Sequence, residues 1–314
     1  MKVLLIDSTH PLLEESLKNA GLELVDGTKW TEEEVLSELH NFEGVVIRSR
    51  VPVDTAFFEA ASKLKCIGRF GAGLENINLK LAEKHGVTCL NVPEGNRQAV
   101  AEHALGLLLN LMNHIRRADI EVRSGVWKRH ENTGLELSGK TVGIIGLGNM
   151  GQAFARVLAG FDVQIIACDP YIEPWPTPNI ERVTLSELKA KADVISMHVP
   201  LTDETRSMVD ADFWREVEKP VFFINTARGP VVNTEDLLNA IESGIVLGAG
   251  LDVLEFERKS FKMDALNHPI FKRLVESDQV ILSPHVGGWT KEAFEKMGRI
   301  LGEKMAGVLR DSGN

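Results

Sequence analysis

Residues 141–169 read TVGIIGLGNMGQAFARVLAGFDVQIIACD, and this stretch decides the fold. Its first five residues, 141–145, are apolar or β-branched, which is typical of a buried strand. Residues 152–158 continue as a helical stretch. Three glycines between strand and helix have the spacing G-x-G-x-x-G: Gly146, Gly148 and Gly151. The pattern predicts a strand, a tight turn and a helix in that order.

Each of these glycines meets a separate mechanical need of dinucleotide binding. Gly146 permits the tight turn, Gly148 lets the backbone approach a pyrophosphate, and Gly151 lets the helix pack closely on the sheet. The N-terminus of the helix then faces the phosphates with unpaired N–H groups and a positive dipole end. The stretch therefore predicts a dinucleotide site.

The acidic residue that completes this pattern is Asp169. It follows a second predicted strand, 163–168, at the distance from Gly151 where a carboxylate binds a ribose 2′-hydroxyl. That carboxylate would repel a 2′-phosphate, and no Arg or Lys occurs in residues 170–173. The sequence therefore favours NAD over NADP.

Composition restricts the class of protein. A chain of 314 residues exceeds the usual size of a single core, so two domains are expected. The net charge of −10 opposes binding to nucleic acid or to anionic lipid. The apolar strand at the N-terminus is too short for a signal-peptide core, and no other apolar run approaches the length of a membrane span. Three widely spaced cysteines indicate neither a disulfide framework nor a metal site. We expect a soluble, cytoplasmic protein without a bound metal.

Two series of alternating strands and helices follow one another along the chain. The first extends to about residue 95 and predicts a small parallel sheet. One long connecting helix is predicted over 97–117, and a last helix over 291–309. The second series has six predicted strands, which fit a doubly wound sheet. The predicted strands are 3–6, 44–47, 64–67 and 87–90, followed by 141–145, 163–168, 194–197, 221–225, 245–251 and 280–282.

Polar residues follow strand after strand in the second series. The carboxyl ends of parallel strands meet at one edge of a sheet, which is where an open α/β sheet binds its ligand. We therefore interpret these residues as a functional cluster rather than as separate solvated loops. The cluster consists of His198-Val199-Pro200, Thr226-Ala227-Arg228-Gly229, Asp252 and Pro284-His285.

With these motifs in view, the chain resembles the D-isomer-specific 2-hydroxyacid dehydrogenases, and most closely their phosphoglycerate dehydrogenase branch. The resemblance covers nearly the whole chain, and the combination of motifs is highly specific. The motifs are IRSR at 47–50, GRFGAGLENI at 68–77, NVPEGNRQAVAEHALGLLL at 91–109, GLGNMG at 146–151, HVPLT at 198–202, NTARG at 225–229, GLDV at 250–253 and PHVGG at 284–288.

The resemblance implies an α/β protein with two doubly wound parallel-sheet domains. A Rossmann NAD-binding domain, 96–287, would be inserted into a flavodoxin-like substrate domain formed by 1–95 and 288–314. The implied reaction is the oxidation of D-3-phosphoglycerate to 3-phosphohydroxypyruvate in serine biosynthesis, carried out by a homodimer formed through the NAD-binding domain. Since the sequence ends at Asn314, feedback through an added regulatory domain is not expected.

The resemblance assigns the catalytic positions to Arg228, Glu257 and His285. Elementary chemistry supports each assignment. An imidazole can act as general acid toward a 2-keto oxygen and as base in the reverse direction, and a neighbouring carboxylate stabilises its charged form and orients it. A guanidinium can hold a carboxylate and polarise a ketone. Glu257 is the least secure of the three, because its loop also contains Glu255 and lacks the proline that often follows the family's glutamate.

The remaining site residues are also implied by the resemblance. The predicted NAD contacts are Gly146, Gly148, Asn149, Met150, Gly151, Asp169, His198, Val199, Pro200, Thr226, Ala227, Asp252, Gly287 and Gly288. The predicted contacts to a 2-hydroxy or 2-keto acid are Arg48, Ser49, Arg50, Gly71, Ala72 and Gly73. His198 is interpreted as a residue beside the cofactor rather than a catalyst. Packing or interface roles are favoured for the other histidines near the connecting helix, which are His103, His114 and His130.

Other functions remain open at this point. The runner-up is an enzyme that reduces glyoxylate, hydroxypyruvate or another unphosphorylated 2-keto acid. Formate dehydrogenase, a relative on the same fold, pairs its histidine with glutamine, whereas Glu257 stands at that position here. An NAD-sensing corepressor with this fold is a remote alternative, and the set of Arg228, Glu257 and His285 argues against it.

Overall fold

A computed structural model of the protein describes residues 1–257 and 268–311. The chain forms two compact units, one of residues 1–97 and 289–314 and the other of residues 98–288. These divisions differ by one or two residues from the boundaries predicted above. None of the described helices is both long enough and apolar enough to cross a membrane.

The first unit is built on a five-stranded, all-parallel sheet with the strand order β2-β1-β3-β4-β5. This is the flavodoxin-like order that the resemblance implied, and the prediction of an α/β sheet here is confirmed. The strand β2 was not predicted, because it lies at the edge of the sheet and has only two apolar residues, neither of them fully buried. The strands are β1 Lys2–Leu5, β2 Glu23–Asp26, β3 Gly44–Ile47, β4 Cys66–Arg69 and β5 Thr88–Leu90.

Helices cover both faces of this sheet and bury its apolar side chains in two clusters. The terminal helix α12 packs against α1 and against β4. Gly68 makes the second contact possible, since a Cβ atom there would stand 2.2 Å from the Sδ atom of Met305. The helices are α1 Pro11–Asn19, α2 Glu32–Glu38, α3 Thr55–Ala60, α4 Leu79–Lys84 and α12 Lys291–Asp311.

The second unit contains a seven-stranded, all-parallel sheet with the order β12-β11-β10-β9-β6-β7-β8. Counted within the unit, this order contains the 3-2-1-4-5-6 arrangement of the Rossmann fold, so the predicted fold class is confirmed. Sequence reasoning missed the two-residue edge strand β8, which has no apolar residue. The strands are β6 Thr141–Ile145, β7 Gln164–Cys168, β8 Glu181–Arg182, β9 Val194–Met197, β10 Val221–Asn225, β11 Val246–Leu251 and β12 Val280–Leu282.

The remaining helices belong to this unit, apart from the beginning of α5, which belongs to the first unit. Two apolar clusters fill the space between the helices and the two faces of the sheet. The helices are α5 Pro93–Met112, α6 Ile115–Arg123, α7 Asn149–Val157, α8 Leu185–Lys191, α9 Ala211–Arg215, α10 Thr234–Glu242 and α11 Pro269–Glu276.

The prediction of one uninterrupted connecting helix over 97–117 was wrong. The helix α5 ends at Met112, and His114 adopts a left-handed conformation with a φ of 52° before α6 begins. The returning chain explains this end, because the N–H of Leu135 donates to the carbonyl of Met112 over 2.9 Å. A long-range contact of this kind has no signal in the local sequence pattern.

Two cysteines on neighbouring strands of the first sheet are expected to react slowly as thiols. Burial raises the pKa of Cys66 to about 12 and that of Cys89 to about 11. A raised pKa lowers the thiolate fraction at pH 8, so both should react with iodoacetamide at least ~100-fold more slowly in the folded protein than in urea. Mass spectrometry of timed alkylation measures this ratio, with the unfolded chain as control. Reaction at the unfolded rate would contradict the burial of these thiols.

Candidate active site

The glycine-rich turn after β6 has the geometry that its sequence predicted. Gly146 has a φ of 89°, and a Cβ atom there would stand 2.7 Å from the carbonyl oxygen of His198. A Cβ atom at Gly151 would stand 2.1 Å from the carbonyl oxygen of Gly146. At Gly148, by contrast, a Cβ atom would meet no described atom within 4 Å. Two glycines are therefore required by packing, and the third opens space at the N-terminus of α7.

This open space fits a pyrophosphate. Asn149 and Met150 are the first residues of α7 after its N-cap at Gly148, so their N–H groups have no partner within the helix. The helix dipole adds positive potential at the same end. The turn thus combines room for a phosphate group with donors and charge of the right sign.

Asp169 is held against this turn. One of its carboxylate oxygens accepts from the N–H of Leu147 at 2.8 Å, and the other accepts from the N–H of Tyr171 at 2.9 Å. The carboxylate therefore lies beside the glycine loop at the end of β7, where it can bind the hydroxyls of a ribose.

His198 follows β9 and lies on the opposite side of the same turn. Its Nε2 atom lies 2.9 Å from the hydroxyl of Ser196, and its ring packs on Phe154 with a centroid distance of 5.2 Å. Burial lowers the pKa of His198 to about 3, so the imidazole is neutral at physiological pH. Val199 and Pro200 continue this wall, and the Val199 side chain lies close to Gly146. A positioning role beside the cofactor suits this neutral histidine better than proton transfer.

The loop after β10 is organised by Asn225, which is almost fully buried. Its amide accepts from the N–H of Ala227 at 3.0 Å and donates to the carbonyl of Arg228 at 3.1 Å. A Cβ atom at Gly229 would stand 1.9 Å from the carbonyl oxygen of Leu254, so this glycine allows the loop to pack against the segment after β11. The hydroxyl oxygen of Thr226 is buried and has no hydrogen-bond partner among the described residues. Such an unpaired polar atom is consistent with a bound cofactor nearby.

His285 and Glu257 form a close pair. The Nδ1 atom of His285 lies 2.7 Å from Oε2 of Glu257, and the other carboxylate oxygen accepts from the N–H of Leu254 at 2.6 Å. The competing carboxylate, Glu255, instead accepts from the N–H of Thr234 at 3.0 Å, next to the start of α10. The structure thus places Glu257, and not Glu255, on the imidazole.

This pair can carry out general acid–base chemistry. Because Nδ1 of His285 contacts the carboxylate, Nε2 is the nitrogen that can exchange a proton with a substrate hydroxyl or ketone. The carboxylate stabilises the imidazolium formed when that proton is taken up. The guanidinium of Arg228, which donates to the Ala227 carbonyl at 2.6 Å, is held in the neighbouring loop.

Asp252 is 2 % exposed and accepts several hydrogen bonds. Its donors are the hydroxyl of Ser283 at 2.6 Å and the N–H groups of Val286 at 2.9 Å and Gly287 at 2.7 Å. Burial opposes ionisation, but the nearby His103 side chain, the Ser283 hydroxyl and the two N–H groups outweigh it and lower the pKa of Asp252 below its usual value. The carboxylate thus holds the loop that contains His285 and the predicted cofactor contacts Gly287 and Gly288.

The predicted substrate residues that follow β3 lie in the first unit and differ in their environments. The guanidinium of Arg48 lies 4.9 Å from the ring centroid of Trp289 and 5.6 Å from that of Phe294. Burial lowers the pKa of Arg48, while Asp7 opposes this shift. Ser49 is half-buried.

The guanidinium of Arg50 is bound to the protein backbone. It donates to the carbonyls of Trp30 at 2.5 Å and Gly27 at 3.0 Å and to that of Ile6, and it lies 3.4 Å from Asp7. These contacts join the loops that follow β1 and β2, so Arg50 has an evident structural role.

The predicted glycine-rich segment lies after β4. The N–H of Gly71 donates to the carbonyl of Arg69 at 2.8 Å, and the carbonyl of Ala72 accepts from the side chain of Asn91 at 2.5 Å. Gly73 is half-buried. Because the Gly71 N–H has a backbone partner, the N–H groups of the following residues are the better candidates to bind a carboxylate.

Sequence reasoning missed two residues of this site, His103 and Ser283. Both contact Asp252, although they lie 180 positions apart in the chain. The only signal for Ser283 was its place between the end of β12 and Pro284-His285. No local pattern distinguished His103 from a packing residue of α5.

Comparisons with known proteins agree with this geometry. Residues 105–287 match the model of the D-isomer-specific 2-hydroxyacid dehydrogenase NAD-binding domain. The chain is 35 % identical over 315 residues to D-3-phosphoglycerate dehydrogenase of Archaeoglobus fulgidus, covering 99 % of the chain and 58 % of that protein. It is 36 % identical over 289 residues to the enzyme of the same name from Bacillus subtilis, covering 91 % and 52 %. The chain thus spans about half the length of the curated relatives it matches.

A solved structure with a similar fold is D-lactate dehydrogenase from Aquifex aeolicus, complexed with NAD and lactic acid. The TM-score is 0.81 at 26 % identity, and the match covers 99 % of this chain and 94 % of the other. The glycine turn and Asp169 fit NAD, and the match of residues 105–287 to an NAD-binding domain confirms the predicted cofactor. The chain belongs to the D-isomer-specific 2-hydroxyacid dehydrogenase family, and residues 105–287 correspond to its NAD-binding domain.

Proposed function

We propose that this chain catalyses the NAD-dependent oxidation of D-3-phosphoglycerate to 3-phosphohydroxypyruvate, a step of serine biosynthesis. The observation that carries the proposal is the contact of 2.7 Å between His285 and Glu257. NAD, when bound at the glycine turn, would supply the acceptor for the hydride that leaves C2 of the substrate. His285 takes the proton of the C2 hydroxyl at Nε2, and Glu257 stabilises the resulting imidazolium. Arg228 binds the substrate carboxylate and polarises the C2 oxygen.

Two observations support a phosphorylated substrate. Relatives at 35 and 36 % identity carry the name D-3-phosphoglycerate dehydrogenase. In addition, Arg48 presents a guanidinium stacked on aromatic rings, whereas the donors of Arg50 are engaged by backbone carbonyls. We therefore propose Arg48, rather than Arg50, as the cation that binds the substrate phosphate.

The test compares substrates and one substitution. NADH formation is measured with D-3-phosphoglycerate, and NADH consumption with phosphohydroxypyruvate, hydroxypyruvate, glyoxylate and 2-oxoglutarate. Arg48→Met should raise KM for the phosphorylated pair by about 10- to 100-fold, because a charge-assisted hydrogen bond is lost. KM for hydroxypyruvate should change little. Arg299→Met, which removes an exposed arginine of the same unit, is the matched control.

A second candidate is the reduction of an unphosphorylated 2-keto acid such as glyoxylate or hydroxypyruvate. It is favoured by the fold similarity to a lactate dehydrogenase with a TM-score of 0.81. Activity only with unphosphorylated acids, together with an Arg48→Met variant of unchanged preference, would replace the first proposal by this one. Negligible turnover of every acid with retained NADH binding would instead favour a sensor or corepressor.

We also propose that the chain forms a homodimer through its NAD-binding domain. The segment from α6 to residue 135 exposes a series of large apolar side chains, and 76 % of Trp127 is accessible. Several exposed large apolar side chains within one segment favour an interface, because monomeric proteins rarely expose large apolar patches. The exposed apolar residues of the segment are Ile115, Ile120, Val122, Val126, Trp127 and Leu135.

Light scattering coupled to size exclusion tests this assembly. The double substitution Ile120→Glu and Trp127→Glu should produce a monomer, because it buries two charges in the proposed interface. Leu79→Glu, at an exposed leucine of the first unit, should leave the mass unchanged. A wild-type protein of monomeric mass would contradict the proposal.

A further inference from the structure

A hydrogen-bonded chain of three side chains connects α5 to the loop that contains His285. The Nε2 atom of His103 lies 2.8 Å from the hydroxyl oxygen of Ser283, and that oxygen lies 2.6 Å from Oδ1 of Asp252. His103 also lies 3.4 Å from the same carboxylate oxygen. All three residues belong to the second unit.

The chemistry of the three side chains determines which group donates and which accepts in each of these hydrogen bonds. Asp252 is buried and its pKa is lowered, so its carboxylate is ionised and can only accept. The hydroxyl proton of Ser283 must therefore point to Asp252, and the Ser283 oxygen then accepts a hydrogen bond from the Nε2–H of His103. The imidazole of His103 thus carries a proton on Nε2.

The Asp252 carboxylate, the last group of these hydrogen-bonded side chains, holds the backbone around His285. It accepts from the N–H groups of Val286 and Gly287, and the Asp252 carbonyl accepts from the N–H of His285 at 2.8 Å. His285 itself has a φ of 56°, a conformation that most residues avoid. Its backbone is therefore kept in a sparsely populated state by its neighbours, while Glu257 holds its side chain.

Packing at Gly287 indicates that His103 also limits the position of this loop. A Cβ atom at Gly287 would stand 2.9 Å from Oδ2 of Asp252 and 3.3 Å from Cδ2 of His103. The loop backbone thus lies close against both side chains. A displacement of the His103 imidazole would remove one of the two side chains that limit the position of Gly287.

We infer that His103 is a positioning residue for His285 and acts through Ser283 and Asp252. This inference rests on the proposed role of His285 as acid–base catalyst, but it does not depend on which 2-hydroxy acid is the substrate. His103 donates the hydrogen bond that orients the Ser283 hydroxyl. The oriented hydroxyl and the carboxylate then hold the 285–287 backbone and keep His285 in the left-handed conformation that presents the imidazole.

The first test measures hydrogen exchange of the 284–288 segment in the protein without cofactor. His103→Leu keeps the apolar volume but removes the donor, so exchange at Val286 and Gly287 should accelerate by about 10-fold. His103→Gln supplies an amide donor at a similar reach and should stay within about twofold of wild type. The neighbouring substitution Glu102→Gln, on the exposed side of α5, is the control. Unchanged exchange in His103→Leu would overturn the inference.

The second test is kinetic and uses whichever 2-keto acid the wild-type enzyme turns over. His103→Leu should lower kcat by roughly 10-fold with KM for NADH nearly unchanged, because small misplacements of a catalytic group are costly. His103→Gln should restore most of the rate. If His103 acts through Ser283, the effects of His103→Leu and Ser283→Ala should not add. The kcat of the double variant should then be no lower than the kcat of the slower single variant.

The outcomes of the two tests separate this inference from the proposed function. Accelerated exchange in an enzyme that prefers unphosphorylated acids would support the positioning role and reject only the proposed substrate. Additive rate losses in the double variant, or no rescue by glutamine in either test, would assign His103 to packing alone and reject the inference.

Discussion

Substitution of His285 by glutamine is expected to lower kcat by about 10²- to 10⁴-fold, the usual contribution of a positioned acid–base group. Glutamine keeps a hydrogen-bonding group near Glu257 but cannot carry the proton that leaves the C2 hydroxyl. NADH binding, measured by fluorescence titration, should remain within a few-fold of wild type. This combination would separate a loss of chemistry from a loss of cofactor.

Two carboxylates of the segment after β11, Glu257 and Glu255, provide a matched pair for the same experiment. Glu257→Gln removes the charge that stabilises the imidazolium, and we expect kcat to fall by roughly 10-fold or more. Glu255→Gln changes a carboxylate that accepts only from the N–H of Thr234 among the contacts described, and an amide oxygen can replace it. Its kcat should stay within about twofold of wild type. Equal losses in the two variants would contradict the assignment of Glu257.

The second large effect is expected at the glycine turn, where two glycines should respond in opposite ways. Gly151→Ala places a Cβ atom 2.1 Å from the carbonyl oxygen of Gly146, and the backbone cannot yield as a flexible side chain would. We expect a fall of at least ~2–3 kcal/mol in the free energy of unfolding. Urea denaturation monitored by circular dichroism measures this change.

Gly148→Ser should instead leave the stability nearly unchanged. Its Cβ atom meets open space, its φ of −71° suits any residue, and serine is a good N-cap. The side chain would nevertheless fill the room proposed for the pyrophosphate and hydrogen-bond the N–H groups that should face it. We expect the Kd for NADH to rise by ~10- to 100-fold. Tight NADH binding by Gly148→Ser would contradict the proposed phosphate position.

The local sequence predicted those features that depend on neighbouring residues. The strand, turn and helix over 141–158 follow from apolar pattern and glycine spacing, which act within a few positions. The core strands of both sheets were found for the same reason, because parallel strands are buried on both faces and consist of continuous apolar runs. The edge strands β2 and β8 were missed, since one-sided or no burial leaves no such run.

Site residues were predictable to the extent that strand ends determine them. Arg228, Asp252 and His285 each follow a strand of one parallel sheet. The carboxyl ends of parallel strands necessarily lie at the same edge of the sheet. The glycine turn and Asp169 were predicted from spacing. The pairing of His285 with Glu257, the other cofactor contacts and the substrate contacts rested on the resemblance to a family. Residue spacing alone did not distinguish Glu257 from Glu255.

By itself, the sequence determined the α/β class, the NAD site and the strands that carry the candidate catalytic residues, because each depends on short-range periodicity or spacing. Only the tertiary structure decided which groups meet across the chain. It placed Glu257 on His285, engaged Arg50 with backbone carbonyls and joined His103 to Ser283. Such contacts depend on side-chain directions and packing between distant segments, and these are fixed only when the sheets and helices assemble.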